Sequence, residues 1–214
     1  HADNIFANLQ THVESEFKKT KELIELRVTE ETYVEGLNKV ISDANKYTDE
    51  QKLLLNQDLT ELQDSVQETK DYIDTAFKDG IIYDAEKRKI ESYLNTLAMS
   101  KADFDKRYEN VHLNEFLLGT PKTNLETAKT TYDTKYKTLV DTIIFAIEDQ
   151  IATEVESIDV NNKFKDYNDA LSLLSSALEV AIDVIGKEKA RVAEENAKKY
   201  ADELKKGLDS TLQQ

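Results

Sequence analysis

A chain of 214 residues has room for one or two domains, and with five Gly, one Pro and no Trp it is poor in breakers, which predicts long uninterrupted elements. At 39% hydrophobic and 33% charged residues, it suits narrow apolar seams with wide solvated faces rather than a thick globular core. Its net charge of −15 argues against nucleic acid and anionic membranes as partners, no basic stripe offsets it, and the absence of Cys excludes disulfides, thiol catalysis and thiolate metal sites.

Sustained heptads set the chain apart from a disordered one, and no apolar run of 18 residues exists to span a bilayer. His1-Ala2 reads as an arbitrary start without a signal peptide, so a fragment or processed product is expected.

Residues 3 to about 42 read as one long helix or two end to end. Phe6, Leu9, Val13, Phe17, Thr20, Ile24 and Val28 form an apolar stripe, in which Phe6, Phe17 and Val28 lie eleven apart, close to three helical turns. The stretch Val28-Thr29-Glu30-Glu31-Thr32 and then Gly36 are candidate interruptions, after which Leu37, Val40 and Ile41 resume the stripe. Thr48-Asp49-Glu50-Gln51 reads as a capping box opening a second helix. Its apolar positions Leu55, Leu59, Leu62, Val66, Thr69, Ile73 and Ala76 recur with 4-3 spacing, and Asp79-Gly80 ends it. The next helix starts at Asp84 and runs to about Val111 with the same spacing through Ile90, Leu94, Leu97, Lys101, Phe104 and Tyr108.

A loop from His112 to Thr120 follows. Thr120 is expected as N-cap with Pro121 at N1 of a helix carrying Leu125, Ala128, Tyr132, Tyr136, Leu139, Ile143 and Ile147. That helix breaks around Glu148-Asp149-Gln150. Thr153-Glu154-Val155-Glu156 is a further capping box, before a last helix with Val160, Phe164, Tyr167, Leu171, Leu174, Leu178, Ala181 and Ile185. It is expected to pass Gly186 and reach about Leu208, through Ala193, Ala197, Tyr200 and Leu204.

A repeat underlies these elements. The stretches beginning at Asp43, Asp79 and Asp149 align without gaps, each an Asp, a short linker, an acidic or hydroxyl cap, and Glu. Reversal at about every 35 residues would give helices on the order of 40 Å. The fold class expected is all-α, an elongated antiparallel helical bundle or coiled coil with long terminal helices. Its parts are residues 1–47, a long helix or helix pair and possible oligomerisation segment; residues 48–186, the bundle; and residues 187–214, a helical extension. The tetratricopeptide signature is absent.

Each candidate for chemistry has a plainer reading. His12 and His112 lack ligand spacing and read as surface or loop residues. Asp71, Asp74 and Asp79-Gly80 miss the alternate spacing of a calcium loop and read as a turn with capping carboxylates. Glu30-Glu31 and Glu194-Glu195 read as solvated faces with partners such as Lys199 for Glu195. Tyr93, Tyr108, Tyr132, Tyr136 and Tyr167 read as core residues whose hydroxyls reach solvent, the sharper alternative being a sugar-binding platform. Lys101 is expected to pack its stem and snorkel its ammonium outward. Phe116-Leu117-Leu118 is a cluster under the loop, or else a docking patch. No catalytic, cofactor or metal residues are assigned, no cofactor is expected, and an enzyme is not expected.

The stretches Phe77-Lys-Asp-Gly-Ile-Ile-Tyr-Asp-Ala-Glu-Lys-Arg-Lys-Ile-Glu-Ser-Tyr-Leu-Asn-Thr-Leu97 and Lys101-Ala-Asp-Phe-Asp-Lys-Arg-Tyr108 resemble a helical segment of tail minor structural proteins of phages and prophages of Gram-positive bacteria. So do Lys122-Thr-Asn-Leu-Glu-Thr-Ala-Lys-Thr-Thr-Tyr132 and Val160-Asn-Asn-Lys-Phe-Lys-Asp-Tyr-Asn-Asp-Ala-Leu171. The resemblance covers roughly residues 70 to 185, with Asp149-Gln150 departing from the Asp-Gly usual at the second turn. It implies a helical spacer within a tail-tip or baseplate-associated protein, in a virion and often trimeric, between a hub and domains for host adsorption. Other tail proteins and further copies of the chain are the partners it implies. Pairing between subunits is expected from the Phe6-to-Val28 stripe and the Ala-rich positions from 190 to 204. The rival expectation is a bacterial surface adhesin or ligand-binding helical module, and a second is a cytoskeletal or secretion-apparatus coiled coil.

Overall fold

The apolar seams become four helices: α1 (Ala2–Ala76), α2 (Asp84–His112), α3 (Gly119–Ala146) and α4 (Glu154–Leu212). The computed structural model describes the backbone of residues 2–212 and the side chains of residues 9–25, 27, 30–203 and 205–207. His1, Gln213, Gln214 and the side chains of Phe6, Val28 and Leu204 lie outside the described residues. The helices pack as an all-α bundle, and among the described residues the one β contact is an isolated antiparallel bridge, Ile81 with Ile151.

The chain divides into two units, one of Lys46–Glu188 and one of His1–Asn45 with Lys189–Gln214. In the first, all four helices turn their 4-3 seams inward. Fully buried positions recur at intervals of about 35 residues: Leu62, Leu97, Tyr132 and Tyr167, then Thr69, Phe104, Leu139 and Leu174. Each fully buried Leu or Ile contributes about 2 kcal/mol. In the second unit Ala44 is buried, Tyr33, Leu37, Val192, Ala193 and Ala197 are half-buried, and Leu9, Val13, Phe17 and Ile24 are exposed.

Residues 46–188 contain an internal copy. A shift of 70 residues carries Asp79 onto Asp149 and the α1/α2 hairpin onto the α3/α4 hairpin. Buried Leu55, Ile73, Ala76, Ile90 and Phe104 fall on buried Leu125, Ile143, Ala146, Val160 and Leu174. The two turns meet as a reciprocal pair: Ile82 N–H donates to the Gln150 carbonyl at 2.8 Å and Ala152 N–H donates to the Gly80 carbonyl at 3.1 Å. Asp79 Oδ1 accepts from Ile81 N–H, and Asp149 Oδ1 from Ile151 N–H, both at 3.1 Å. Glu86 and Glu156 accept from the backbone N–H of Tyr83 and Thr153 at 2.9 Å, and Thr153 Oγ1 accepts from Glu156 N–H, so the capping box at Thr153 forms in full.

Three local expectations fail. The chain does not reverse at Asp43–Glu50, and Thr48 opens no helix, because α1 is unbroken from Ala2 to Ala76. The aligned stretches differ in two ways. The residue after Asp is left-handed in both real turns, Gly80 at φ +79 and Gln150 at φ +65, and the next residues, Ile81 and Ile151, pair as a bridge, whereas the Asp43 stretch has Ala44, a strong helix former, and Asn45. Gly36 likewise stays helical, and Thr120 is not an N-cap. The α3 N-cap is Leu118, without a side-chain hydrogen bond, and Gly119 at φ +64 leaves Thr120 and Pro121 inside the first turn.

Candidate functional site, the charged seam between α2 and α3

Two Lys-x-x-x-Asp pairs, Lys101 with Asp105 on α2 and Lys129 with Asp133 on α3, present their charges one turn apart on facing helices. The helices interleave them. Lys101 Nζ donates to Asp105 Oδ2 at 2.6 Å and across the seam to Asp133 Oδ1 at 2.8 Å. Lys129 Nζ donates to Asp133 Oδ2 at 2.5 Å and lies 3.4 Å from Asp105 Oδ1. Each cation faces both anions, and the four charges cancel.

Aromatic rings floor this square. Lys101 Nζ sits 4.9 Å from the Tyr132 ring centre and 5.2 Å from that of Tyr136, while Lys129 lies 5.3 Å from Tyr108. Tyr167 donates its hydroxyl to that of Tyr132 at 3.0 Å, and the two rings stack at 5.3 Å. Burial raises both phenols well above their ordinary range, so they stay neutral. Burial also disfavours charge on Lys101, but its bonds to Asp105 and Asp133 outweigh that and raise its pKa. Asp133 shows the converse. Burial opposes its charge, and the bonds from Lys101 and Lys129 prevail and lower its pKa.

The expected snorkelling of Lys101 is therefore overturned. Its side chain is only 12% exposed, because two carboxylates and two ring faces inside the seam replace water. The hydroxyls of Tyr132 and Tyr167 do not reach solvent either, since both residues are fully buried and Tyr167 donates to Tyr132. Asp105, Lys129 and Asp133 do not stand out in the sequence as Lys101 does. Two Lys-x-x-x-Asp pairs on neighbouring helices were the available signal, and in isolation each reads as a surface pair.

The remaining candidates stay dispersed. His12 is exposed, whereas His112 Nε2 meets Glu126 Oε1 at 2.8 Å and stacks on Tyr108 at 5.3 Å. Among the described residues no group of three His, Cys, Asp or Glu is arranged to hold a metal. Asp71 accepts from Gln67, and Asp74 from Lys70 and Asn161. Glu31 pairs with Arg27. Glu195 pairs with Arg191 at 2.5 Å instead of Lys199. Tyr93 packs against Tyr72 at 5.1 Å, with Lys89 over its ring. In the loop Leu117 is buried, Phe116 packs against the core and Leu118 is exposed, with Asn114 Oδ1 accepting from Phe116 N–H. No described helix is long and apolar enough to cross a membrane.

The charged square is a neutral, closed arrangement. Sliding α2 along α3 by one turn would keep each pair along its own helix but break both cross-helix contacts, Lys101 with Asp133 and Lys129 with Asp105, inside a half-dry seam, so the arrangement favours one helix register. Comparisons with family models, with curated proteins and with solved structures found no match.

Proposed function

We propose that this chain is a non-enzymatic structural segment of a phage tail, in a tail-tip or tail-fibre protein, serving as a helical spacer and assembly module between tail attachment and host-contacting domains. The supporting observation is helix length: α1 has 75 residues and α4 has 59, several times the usual three to four turns. A spacer needs persistent helices, fixed register and a solvated surface. The charged seam supplies the register, and the net charge of −15 supplies the surface. The stretches that resemble tail minor structural proteins lie within Lys46–Glu188, the unit that contains the four-helix core.

In this reading the chain works as a homo-oligomer, a trimer being favoured, in a virion alongside other tail proteins. The exposed Leu9, Val13, Phe17 and Ile24 are its subunit contacts. Light scattering coupled to small-angle X-ray scattering tests it. A trimer with a maximum dimension well beyond a single bundle is expected. A monomer no longer than one bundle would overturn the assembly claim and favour an isolated binding module.

A further inference from the structure

The internal copy serves as a control for reading the surface. At the turn end of the second hairpin, Phe145 is 68% exposed, Val155 75% and Ile158 56%. Shifted by 70 residues, the same places in the first hairpin hold Thr75, Ala85 and Arg88. The hairpin fold therefore does not require large apolar residues there. The register set by Lys135 with Asp166, and by Tyr132 with Tyr167, puts Phe145 level with Val155 on one face of the α3/α4 pair. Ile158 follows Val155 by one turn, and Ile151, exposed in the turn, precedes Val155 by four residues.

The rim breaks the symmetry in the same place. Asp141, Glu148, Glu154 and Asp159 flank the apolar trio at helical-neighbour spacing, and all four are acidic. Their counterparts Asp71, Lys78, Asp84 and Lys89 are mixed and cancel. Lys137 and Lys163 are held along their own helices by Asp141 and Asp159, offsetting those two carboxylates, and Lys87 Nζ reaches the Glu148 carbonyl at 3.4 Å, so the net acidity of the rim rests on Glu148 and Glu154. An apolar face inside an acidic rim is complementary to an apolar face inside a basic rim. A second copy fits badly, because it would bring two acidic rims of a chain with net charge −15 together.

We infer that the face formed by Phe145, Val155 and Ile158 docks an amphipathic helix of another protein, apolar along one side and flanked by Lys or Arg. Two adjacent helices present the ridges and groove that accept a third. This inference stands apart from the spacer reading, since it concerns a surface that reading does not use.

The test uses the full chain with labelled Ile, Leu and Val methyl groups. The probe is an 18-residue Leu/Lys peptide with Leu at helical i, i+3, i+4 and i+7 spacing. A peptide with Glu in place of Lys is the charge control. Binding of the Lys peptide should shift the methyl signals of Ile144, Ile151, Val155 and Ile158, and the Glu peptide should leave them in place. The variant F145T/V155A/I158Q keeps the net charge and borrows Thr and Ala from the first hairpin. It should melt like the parent and weaken binding at least tenfold, with Ile144 and Ile151 as remaining reporters. Undiminished binding to the variant would overturn the inference. So would shifts confined to Leu9, Val13 and Ile24, or concentration-dependent dimerisation of the parent that the variant abolishes, which would make the occupant a second copy.

Discussion

The bundle has two seams built on one plan and filled in opposite ways. Between α2 and α3 stand Lys101, Asp105, Lys129 and Asp133, and the 70-residue shift places Leu171, Ser175, Leu59 and Gln63 at the same positions between α4 and α1. Leu171 is buried and Leu59 packs against the core, so the second seam closes by apolar contact where the first closes by charge. The folds of the two hairpins match, so the charges are not needed to make a hairpin. What they add is a penalty on wrong register, because a slip of α2 would take Lys101 from Asp133 and Asp105 from Lys129 inside the seam. An apolar seam tolerates a slip of one turn more readily, since one Leu replaces another.

The largest expected effect follows from that contrast. Lys101→Ala removes one cation and leaves Asp105 and Asp133 sharing Lys129, which should cost about 3 kcal/mol in urea unfolding. Installing the other seam wholesale, as K101L/D105S/K129L/D133Q, should lose far less than the single change or even gain stability, because no charge is left uncompensated. If the quadruple variant falls as far as K101A, the charges hold the hairpins together and the register argument fails. Acid and alkali sharpen the same comparison. The Asp133 pKa is lowered from 3.8 in the folded chain, so its stabilisation is present above pH 3.8 and disappears as pH falls through the folded value. The Lys101 pKa is raised from 10.5, so its stabilisation is complete below pH 10.5 and disappears as pH rises through the folded value. The stability difference between parent and quadruple variant should be flat between those limits and change outside them.

The two turns offer the next contrast. Gly80 and Gln150 share a left-handed conformation, φ +79 and φ +65, but only the glycine adopts it without steric cost. Gly80→Ala should therefore destabilise by about 1–2 kcal/mol. Gln150→Gly should move the other way by less, because relief of strain is offset by losing the 2.5 Å contact from Gln150 Nε2 to Asp84 Oδ1. Paired thermal melts of the two variants read the difference in sign. Equal losses would mean that the turns are not equivalent.

Much of this was legible in the residues, and the failures have physical causes. The seams from Leu55 to Ala76 and from Ile90 to Val111 were readable because apolar spacing survives whatever the partner helix is. Asp79-Gly80 and the Thr153 box were readable because their chemistry is local. Asp43–Glu50 misled because it shares the polar pattern of the real turns, while those turns are held by pairing with each other through Ile81 and Ile151, a long-range contact that the pattern does not show. The charged square was hidden because Lys101 and Asp133 are 32 positions apart, and only the helix pairing brings them to 2.8 Å. Which face of α3 looks outward is equally a property of the assembled bundle, so the exposure of Phe145 could not be read in advance.

Capping and helix continuity carry the smaller effects. Thr153→Ala removes the hydroxyl that accepts from Glu156 N–H and should cost about 1 kcal/mol, seen as a lower Tm. The smallest expected change concerns the unbroken α1. Gly36 sits within the helix, and a Cβ added there meets nothing within 4 Å. Gly36→Ala should then stabilise α1 locally by about 0.8 kcal/mol, the propensity gap between the two residues. Amide hydrogen exchange over residues 30–45 is the measurement, because local opening can precede global unfolding. Slower exchange on both sides of position 36 is expected from one continuous helix. Slowing on one side alone would mean that α1 is jointed at Gly36, restoring the interruption that the sequence suggests.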